Sequence, residues 1–509
     1  MLTIVPILLP AVVAAITLLR SVRTTRLAAI FSLTSSVLLV AVTIALFAEA
    51  SDGVIRVYRL GDWPAPFGIV LVLDRLSTMM VLLTNVLALC VLVHAVLTQL
   101  DRRGWHFHPM FQFQLLGLNG AFLTGDLFNL FVFFEVLLIA SYGLILHGQG
   151  AARLQAGVQY VVVNLVGSTL FLIALGILYG MTGTLNMADM AVRVASAPAG
   201  DQALIRTGAQ VLIVVFALKA ALLPLQLWLP RAYSSTSAPV AALFAILTKV
   251  GVYAILRTTV LIFGAEAGAA AWAPAAWMLP ASLLTIMAGF VGVLAARDMR
   301  LMAAFGIIGS TGTLLSAVAL FQPDTIAAAL YYLPHSVLAG ALMFLVTDLV
   351  ARARGDTDDT LVPDRPFARM GQLGALFMLA AIALAGLPPL SGFIGKLLIL
   401  SASADARFAA WIWGAILLGT FLCILGLARA GSNLFWKSRA DEYAFPDGET
   451  PQPRDKAIAA APAWMLCALL AALTLFAGPV TRNAEATAAQ IFSVGDYAAA
   501  VLLEQEGTR

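Results

Sequence analysis

The sequence predicts an all-α polytopic membrane protein with about fourteen transmembrane helices, and two observations carry that expectation. Of 509 residues, 61% are hydrophobic and only 11% charged, against roughly 25% charged in a soluble domain. Windows of about 20 mostly apolar residues, the length that crosses a bilayer as a helix, recur along almost the whole chain. The runs are continuous rather than alternating. With so little loop between them, the backbone must satisfy its own hydrogen bonds, which favours helices over a barrel.

In order, the spans fall near 2–19, 27–48, 70–98, 108–124, 126–147, 156–180, 203–229, 240–263, 272–294, 301–321, 325–350, 371–401, 409–435 and 459–480. Only Thr124-Gly125-Asp126 divides the fourth from the fifth. The first run has no basic residue before it and three arginines after it, the reverse of a cleaved signal peptide. The longest polar insertions, Arg352 to Met370 and Trp436 to Asp455, are too short to fold alone and read as connections. Asp356, Asp358, Asp359 and Asp364 stand beside arginines in the first of these, as in a solvated loop rather than a metal site.

A soluble enzyme is excluded by this composition. The net charge is +3, from 30 basic and 27 acidic residues, so neither nucleic acid nor an acidic polymer is an implied partner. Cys90, Cys423 and Cys467 lie in apolar runs without metal-ligand spacing. No phosphate-binding glycine loop, nucleophile elbow or dinucleotide fingerprint occurs, and no cofactor or metal is implied. Nor is an oxygen-rich cation cage visible within a span.

Basic residues set the expected orientation. With the N-terminus outside, the cytoplasmic loops carry eighteen lysines and arginines and the outer segments nine, which favours both termini outside. The remaining three, Lys219, Lys249 and Lys396, lie inside spans.

A lysine at the bilayer centre costs roughly 2.5–3.5 kcal/mol on insertion scales, so each of the three needs a reason. Glu135 is the one acid near the middle of a span, and His335 is the one histidine deep in a span. One titratable group thus stands in each of five helices. Desolvation brings lysine and glutamate towards neutrality, where histidine already titrates, so such a row suits stepwise proton transfer. An arginine would stay protonated, and the arginines fall in loops or at span ends. The plainer alternative is that Glu135 pins two helices together by pairing with one lysine.

Helix breakers accompany two of the lysines. Lys219 precedes Pro224, and Lys396 follows Pro388 and Pro389. Proline frees a backbone carbonyl, and such breaks persist in a membrane where protein or water covers them. The two spans, seventh and twelfth, are five apart, the offset expected if helices four to eight and nine to thirteen are inverted repeats.

Other polar groups have local explanations. His94, His106, His108 and His147 lie near span ends and read as interfacial. Asp348 reads as an end-of-helix acid facing water or lining an exit, Asp74-Arg75 as an interfacial pair, and Trp63, Trp228 and Trp436 as aromatic-belt residues.

Several segments carry a family likeness: Phe128-Asn129-Leu130 through Glu135 to Ser141-Tyr142-Gly143, Ala217-Leu218-Lys219 through Leu227-Trp228-Leu229-Pro230 to Ala238-Pro239, and Leu247-Thr248-Lys249-Val250-Gly251-Val252-Tyr253. Tyr332-Leu333-Pro334-His335-Ser336 and Leu387-Pro388-Pro389 through Lys396 complete it. On these the chain resembles the antiporter-like subunits shared by respiratory complex I, membrane-bound hydrogenases and Mrp-type multisubunit cation/proton antiporters. Through Leu60-Gly61-Asp62-Trp63-Pro64-Ala65-Pro66-Phe67-Gly68-Ile69 it is most similar to the D-subunit family of the Mrp antiporters.

The resemblance implies a fourteen-helix core with two inverted five-helix repeats. Helices one to three would occupy 1–107, the repeats 108–263 and 264–435, and a cytoplasmic connection with helix fourteen 436–509. Glu135 and Lys219 match the family's glutamate–lysine pair, Lys249 its central lysine, His335 the histidine continuing the polar axis, and Lys396 the residue ending it. The implied function is proton translocation in exchange for Na+ or K+, in a bacterial cytoplasmic membrane, with the other Mrp subunits as partners and no enzyme activity. The alternative is a proton-pumping subunit of complex I or a membrane-bound hydrogenase.

Overall fold

The structure, a computed structural model, describes residues 2–20, 25–439 and 457–502. Most of the expected Trp436–Asp455 connection, and Arg23, Arg454, Lys456 and Arg509 of the charge count, lie outside the described residues.

In chain order the elements are α1 (Val5–Arg20), α2 (Thr25–Ala50), β1 (Arg56–Arg59), β2 (Val70–Leu73), α3 (Arg75–Leu97), α4 (Phe107–Leu123), α5 (Leu127–Leu146), α6 (Ala151–Thr182) and α7 (Met187–Ala195). Next come α8 (Gln202–Lys219), α9 (Trp228–Ser235), α10 (Ala238–Phe244), α11 (Leu247–Leu261), α12 (Ala275–Ala295), α13 (Met299–Val318) and α14 (Pro323–Arg354). The chain closes with α15 (Met370–Ala385), α16 (Ser391–Ala402), α17 (Ala409–Gly431), α18 (Ala461–Leu475), α19 (Ala477–Phe492) and α20 (Val494–Leu502). Among the described residues, twelve helical stretches are long and apolar enough to cross a membrane. α4, with 17 residues, and the pair α15 and α16, with 16 and 12, are apolar but individually shorter.

The structure differs from the expected third span at its start. Val70–Leu73 pairs antiparallel with Arg56–Arg59 instead of opening the helix. A continuous Val/Leu run fits a buried strand and a buried helix equally. What divides them is Asp74, whose carboxylate accepts from the Ser77 amide while its own amide donates to the Ser77 hydroxyl, a capping box that starts α3. The short α7 and the tail helices α19 and α20 add to the expected set.

Cap residues also account for the division between the fourth and fifth spans. Asp126 accepts from the Asn129 amide at 2.8 Å and starts α5. The same segment bridges Asn186, with Leu127 donating to Leu185 O and Met187 to Gly125 O, both at 2.9 Å. A like arrangement recurs at α13. Asp298 caps it through the Leu301 amide at 2.8 Å and bridges Thr360, with Met299 donating to Asp359 O and Leu361 to Arg297 O.

The stretch from α10 to α11 is wholly enclosed, and α13 and α14 nearly so, whereas α1, α2 and α17 present about two thirds of their most apolar windows outward. An apolar outer shell facing lipid and a buried centre are therefore separate layers. The titratable residues of α11 and α14 belong to the inner one.

Candidate functional site

The five expected residues lie on α5, α8, α11, α14 and α16. Lys219, Lys249, His335 and Lys396 are all buried; Glu135 is half-buried.

Glu135 and Lys219 do not form a direct ion pair. α6 stands between them: Ser168 donates its hydroxyl to Glu135 Oε1, and Lys219 Nζ donates to Asn164 Oδ1 at 2.9 Å. Asn164 and Ser168 are one helical turn apart and so share a face. Tyr160, one turn further, shares a hydrogen bond with Ser141 at 3.1 Å and accepts the Asn164 side-chain amide on its carbonyl at 2.8 Å. Each group thus bonds its own polar partner on α6, an amide for the lysine and a hydroxyl for the acid, in place of the salt bridge of the packing alternative.

Lys249 is fully enclosed and donates to Thr311 Oγ1 of α13 at 3.2 Å. Thr311 in turn donates to Ile307 O at 2.8 Å, with Thr248 3.3 Å away. Lys396 donates to Thr420 Oγ1 at 2.7 Å and to Ala385 O at 2.8 Å, and its ammonium lies 5.4 Å from the centre of the Phe290 ring. Among the described residues no carboxylate lies within 4.0 Å of any of these three ammonium groups.

The two breaks are built alike. At the first, Ala221 adopts φ +55°, its amide bonding Leu218 O at 3.1 Å and that of Leu222 bonding Ala217 O at 3.0 Å. At the second, Gly386 adopts φ +69°, its amide bonding Ala383 O at 2.9 Å and that of Leu387 bonding Ile382 O at 3.0 Å. Both are Schellman ends with a left-handed residue at the turn, and both are followed three residues on by a proline, Pro224 and Pro389, after a cis bond. Thr285 of α12 accepts the freed Leu223 amide at 2.9 Å.

Helix ends also explain where the lysines stop. Lys219 is the last residue of α8, and Lys396 reaches back from α16 to the carbonyl of Ala385, the last residue of α15. A helix C-terminus carries partial negative charge, so the Lys396 ammonium, bonded to the Ala385 carbonyl, sits where backbone dipoles favour it. Gly386 permits this approach: a Cβ there would lie 2.9 Å from Lys396 Cε.

His335 fills the second break. Its Nε2 donates to Ala383 O at 3.1 Å, which leaves Nδ1 to accept from Ser391 Oγ at 2.9 Å. It therefore touches both halves of the broken helix, α15 and α16.

Several expectations are corrected. Trp228 is buried, not in an aromatic belt, and its indole donates to Leu218 O at 3.1 Å. His94, His108 and His147 lie near helix ends as expected but are buried in protein, while His106 is exposed. His94 meets Asp348 at 3.0 Å, His108 meets Asp101 at 3.3 Å, and His147 bonds Leu100 O at 2.9 Å. Asp348 accordingly does not simply face water; it also takes Arg352 at 2.8 Å. Asp74 pairs not with Arg75 but with Arg257 of α11, through two contacts of 2.6 and 2.9 Å, both residues being buried. Asp359, expected in a solvated loop, is buried against Arg300.

Sequence reasoning missed Asn164, Ser168, Thr311 and Thr420. Their signal was present only faintly, as Tyr160, Asn164 and Ser168 recurring every fourth residue in an apolar run.

Comparison with known proteins identifies the family. Residues 124–424 match the family described as "NADH:quinone oxidoreductase/Mrp antiporter, TM". The chain is 42% identical over 520 aligned positions to the D subunit of a probable K(+)/H(+) antiporter of Rhizobium meliloti, covering 96% of this chain and 95% of the relative. It is 37% identical to the D subunit of a Na(+)/H(+) antiporter of Bacillus subtilis, covering 89% of each. A chain in the structure of the Mrp complex from Dietzia sp. superposes with a TM-score of 0.87 at 28% identity, covering 98% of this chain and 99% of that one. The chain belongs to the NADH:quinone oxidoreductase/Mrp antiporter membrane family.

Proposed function

We propose that the chain is the D subunit of an Mrp-type antiporter and moves protons along Glu135, Lys219, Lys249, His335 and Lys396 in exchange for Na+ or K+. Its partners are the other Mrp subunits, and its place is a bacterial inner membrane. The observation that carries this reading is the set of three buried lysines held by an amide, hydroxyls and a carbonyl, with no carboxylate in contact among the described residues. A permanently charged, unpaired ammonium in that setting is costly. A lysine that alternates between charged and neutral forms is not, and alternation is what proton transfer requires.

The reading includes fourteen crossings, with α4 and the broken α15–α16 pair as the fourth and twelfth, both termini outside, and two inverted repeats at 108–263 and 264–435. The repeats are supported by the matching breaks and by the like bridges at Asp126 and Asp298. Five crossings separate those bridges, so each lies on the opposite side of the membrane, as inversion requires. The D-subunit names of the relatives favour exchange driven by ion gradients over a redox-driven pump.

The test is Lys219→Ala in the assembled complex, read as cation-dependent pH change in everted vesicles. Exchange is expected to be lost with assembly retained. Undiminished exchange would remove Lys219 from the path.

A further inference from the structure

The overall charge is near neutral, yet one end of the molecule concentrates arginine. A pocket of about 400 Å³ is lined by Arg103, Arg153, Arg300 and Arg352, together with Asp348 and Asp358. The guanidinium groups come from four separate parts of the chain: the α3–α4 connection, the first turn of α6, the start of α13 and the end of α14.

Two of the four are compensated. Arg352 is paired with Asp348 at 2.8 Å, and Arg300 with Asp358 at 3.1 Å and Asp359 at 3.4 Å. The other two are not. Arg153 donates only to carbonyls, those of Ser235 at 3.1 Å and His147 at 2.7 Å. The Arg103 side chain has no hydrogen-bond or carboxylate partner among the described residues. They stand close together, since a Cβ on Gly148 would meet Arg153 Nη1 at 2.5 Å and Arg103 Cδ at 3.9 Å. Two neighbouring guanidinium groups with no carboxylate in contact among the described residues, on the wall of an open pocket, suit an anion, and their planar forks match phosphate oxygens.

The neighbourhood adds a second feature. Directly after Arg153, α6 turns Leu154, Val158, Val162 and Leu165 outward, all more than half exposed. At this spacing they make one outward apolar stripe along the helix, which begins at Leu154 beside Arg153 in sequence and is long enough to lie along an acyl chain.

We infer that this pocket binds the phosphate group of an anionic ligand at Arg103 and Arg153, with an acidic phospholipid as the source that also uses the α6 stripe. Basic pockets between transmembrane helices at the end richer in arginine suit such headgroups. The site is separate from the five titratable residues and does not depend on their role.

The test uses the assembled complex in detergent, with lipid retention read by native mass spectrometry after offering phosphatidylglycerol and phosphatidylcholine together. Thermal unfolding with inorganic phosphate is the second arm. Wild type is expected to retain phosphatidylglycerol preferentially. Arg103→Gln, at an exposed and unpartnered position, is expected to cut retention about fivefold, and Arg103→Gln with Arg153→Gln to cut it further, since each arginine near an anionic surface contributes about 1 kcal/mol. Leu154→Gln should weaken lipid retention without altering any response to phosphate. Protection by inorganic phosphate that Arg103→Gln removes, without lipid preference, would keep the phosphate site and assign it a soluble source. No lipid preference and no response to phosphate, or a preference indifferent to Arg103→Gln, overturns the inference. Lys219→Ala is expected to bind as wild type, so this result and the transport result fail independently.

Discussion

Leu218 and Ala383 hold equivalent places in two separate helix breaks, and the carbonyl of each accepts two hydrogen bonds. One comes from the left-handed residue three positions on, Ala221 or Gly386. The other comes from a ring N–H, Trp228 in the first break and His335 in the second. A break frees carbonyls that lipid cannot satisfy, and at both breaks an aromatic nitrogen supplies a further donor. Only the second of these rings can titrate.

From that asymmetry, His335→Gln is expected to keep the donor to Ala383 O and so preserve assembly, while lowering cation-dependent proton exchange at least about tenfold, below the usual contribution of a positioned acid–base group. Purified complex yield and vesicle exchange check this. Equal exchange would mean that the ring serves packing alone.

At the first break, Thr285→Val would leave the Leu223 amide unpaired in the interior, a cost of about 1–3 kcal/mol. The expected outcome is a lower unfolding temperature of the complex in detergent, with Thr285→Ser close to wild type because it keeps the acceptor.

Gly386→Ala is expected to disturb Lys396 specifically. The left-handed φ of +69° disfavours alanine, and its Cβ would press on the lysine stem at 2.9 Å. Exchange should fall, while Gly371→Ala, where a Cβ would meet nothing within 4 Å, changes neither exchange nor yield.

The Asp74–Arg257 pair provides a stability prediction away from the proposed path. Arg257→Leu strands a buried carboxylate, which costs about 3–5 kcal/mol, so the unfolding temperature should drop sharply. Adding Asp74→Asn to that variant removes the stranded charge and should recover part of the loss. An Arg257→Leu protein as stable as wild type would show that the pair is not sealed from water.

How much of this the sequence disclosed follows from what each signal depends on. Glu135, the three lysines and His335 were legible because a charge inside an apolar run stands out without knowledge of its neighbours. Their partners were not. Asn164, Ser168, Thr311 and Thr420 are ordinary polar residues of membrane helices, and only the packing of α6, α13 and α17 gives them meaning. Asp348 and His94 are 254 residues apart in sequence, so their pairing, and with it the burial of a histidine near a span end, had no local trace. The strand at Val70–Leu73 was lost for the opposite reason, because its composition matches the helix it precedes. The breaks at Pro224 and Pro389 were visible as prolines, but the repeated Schellman geometry was not.

The most direct measurement concerns Lys249, the most enclosed of the lysines. In everted vesicles carrying the assembled complex, Lys249→Arg keeps a positive charge but cannot release its proton in this pH range. The account predicts that cation-driven proton movement is lost in Lys249→Arg and in Lys249→Gln alike, with normal complex yield. Exchange at the wild-type rate in Lys249→Arg would contradict it, because a fixed charge would then suffice where a titrating one is claimed.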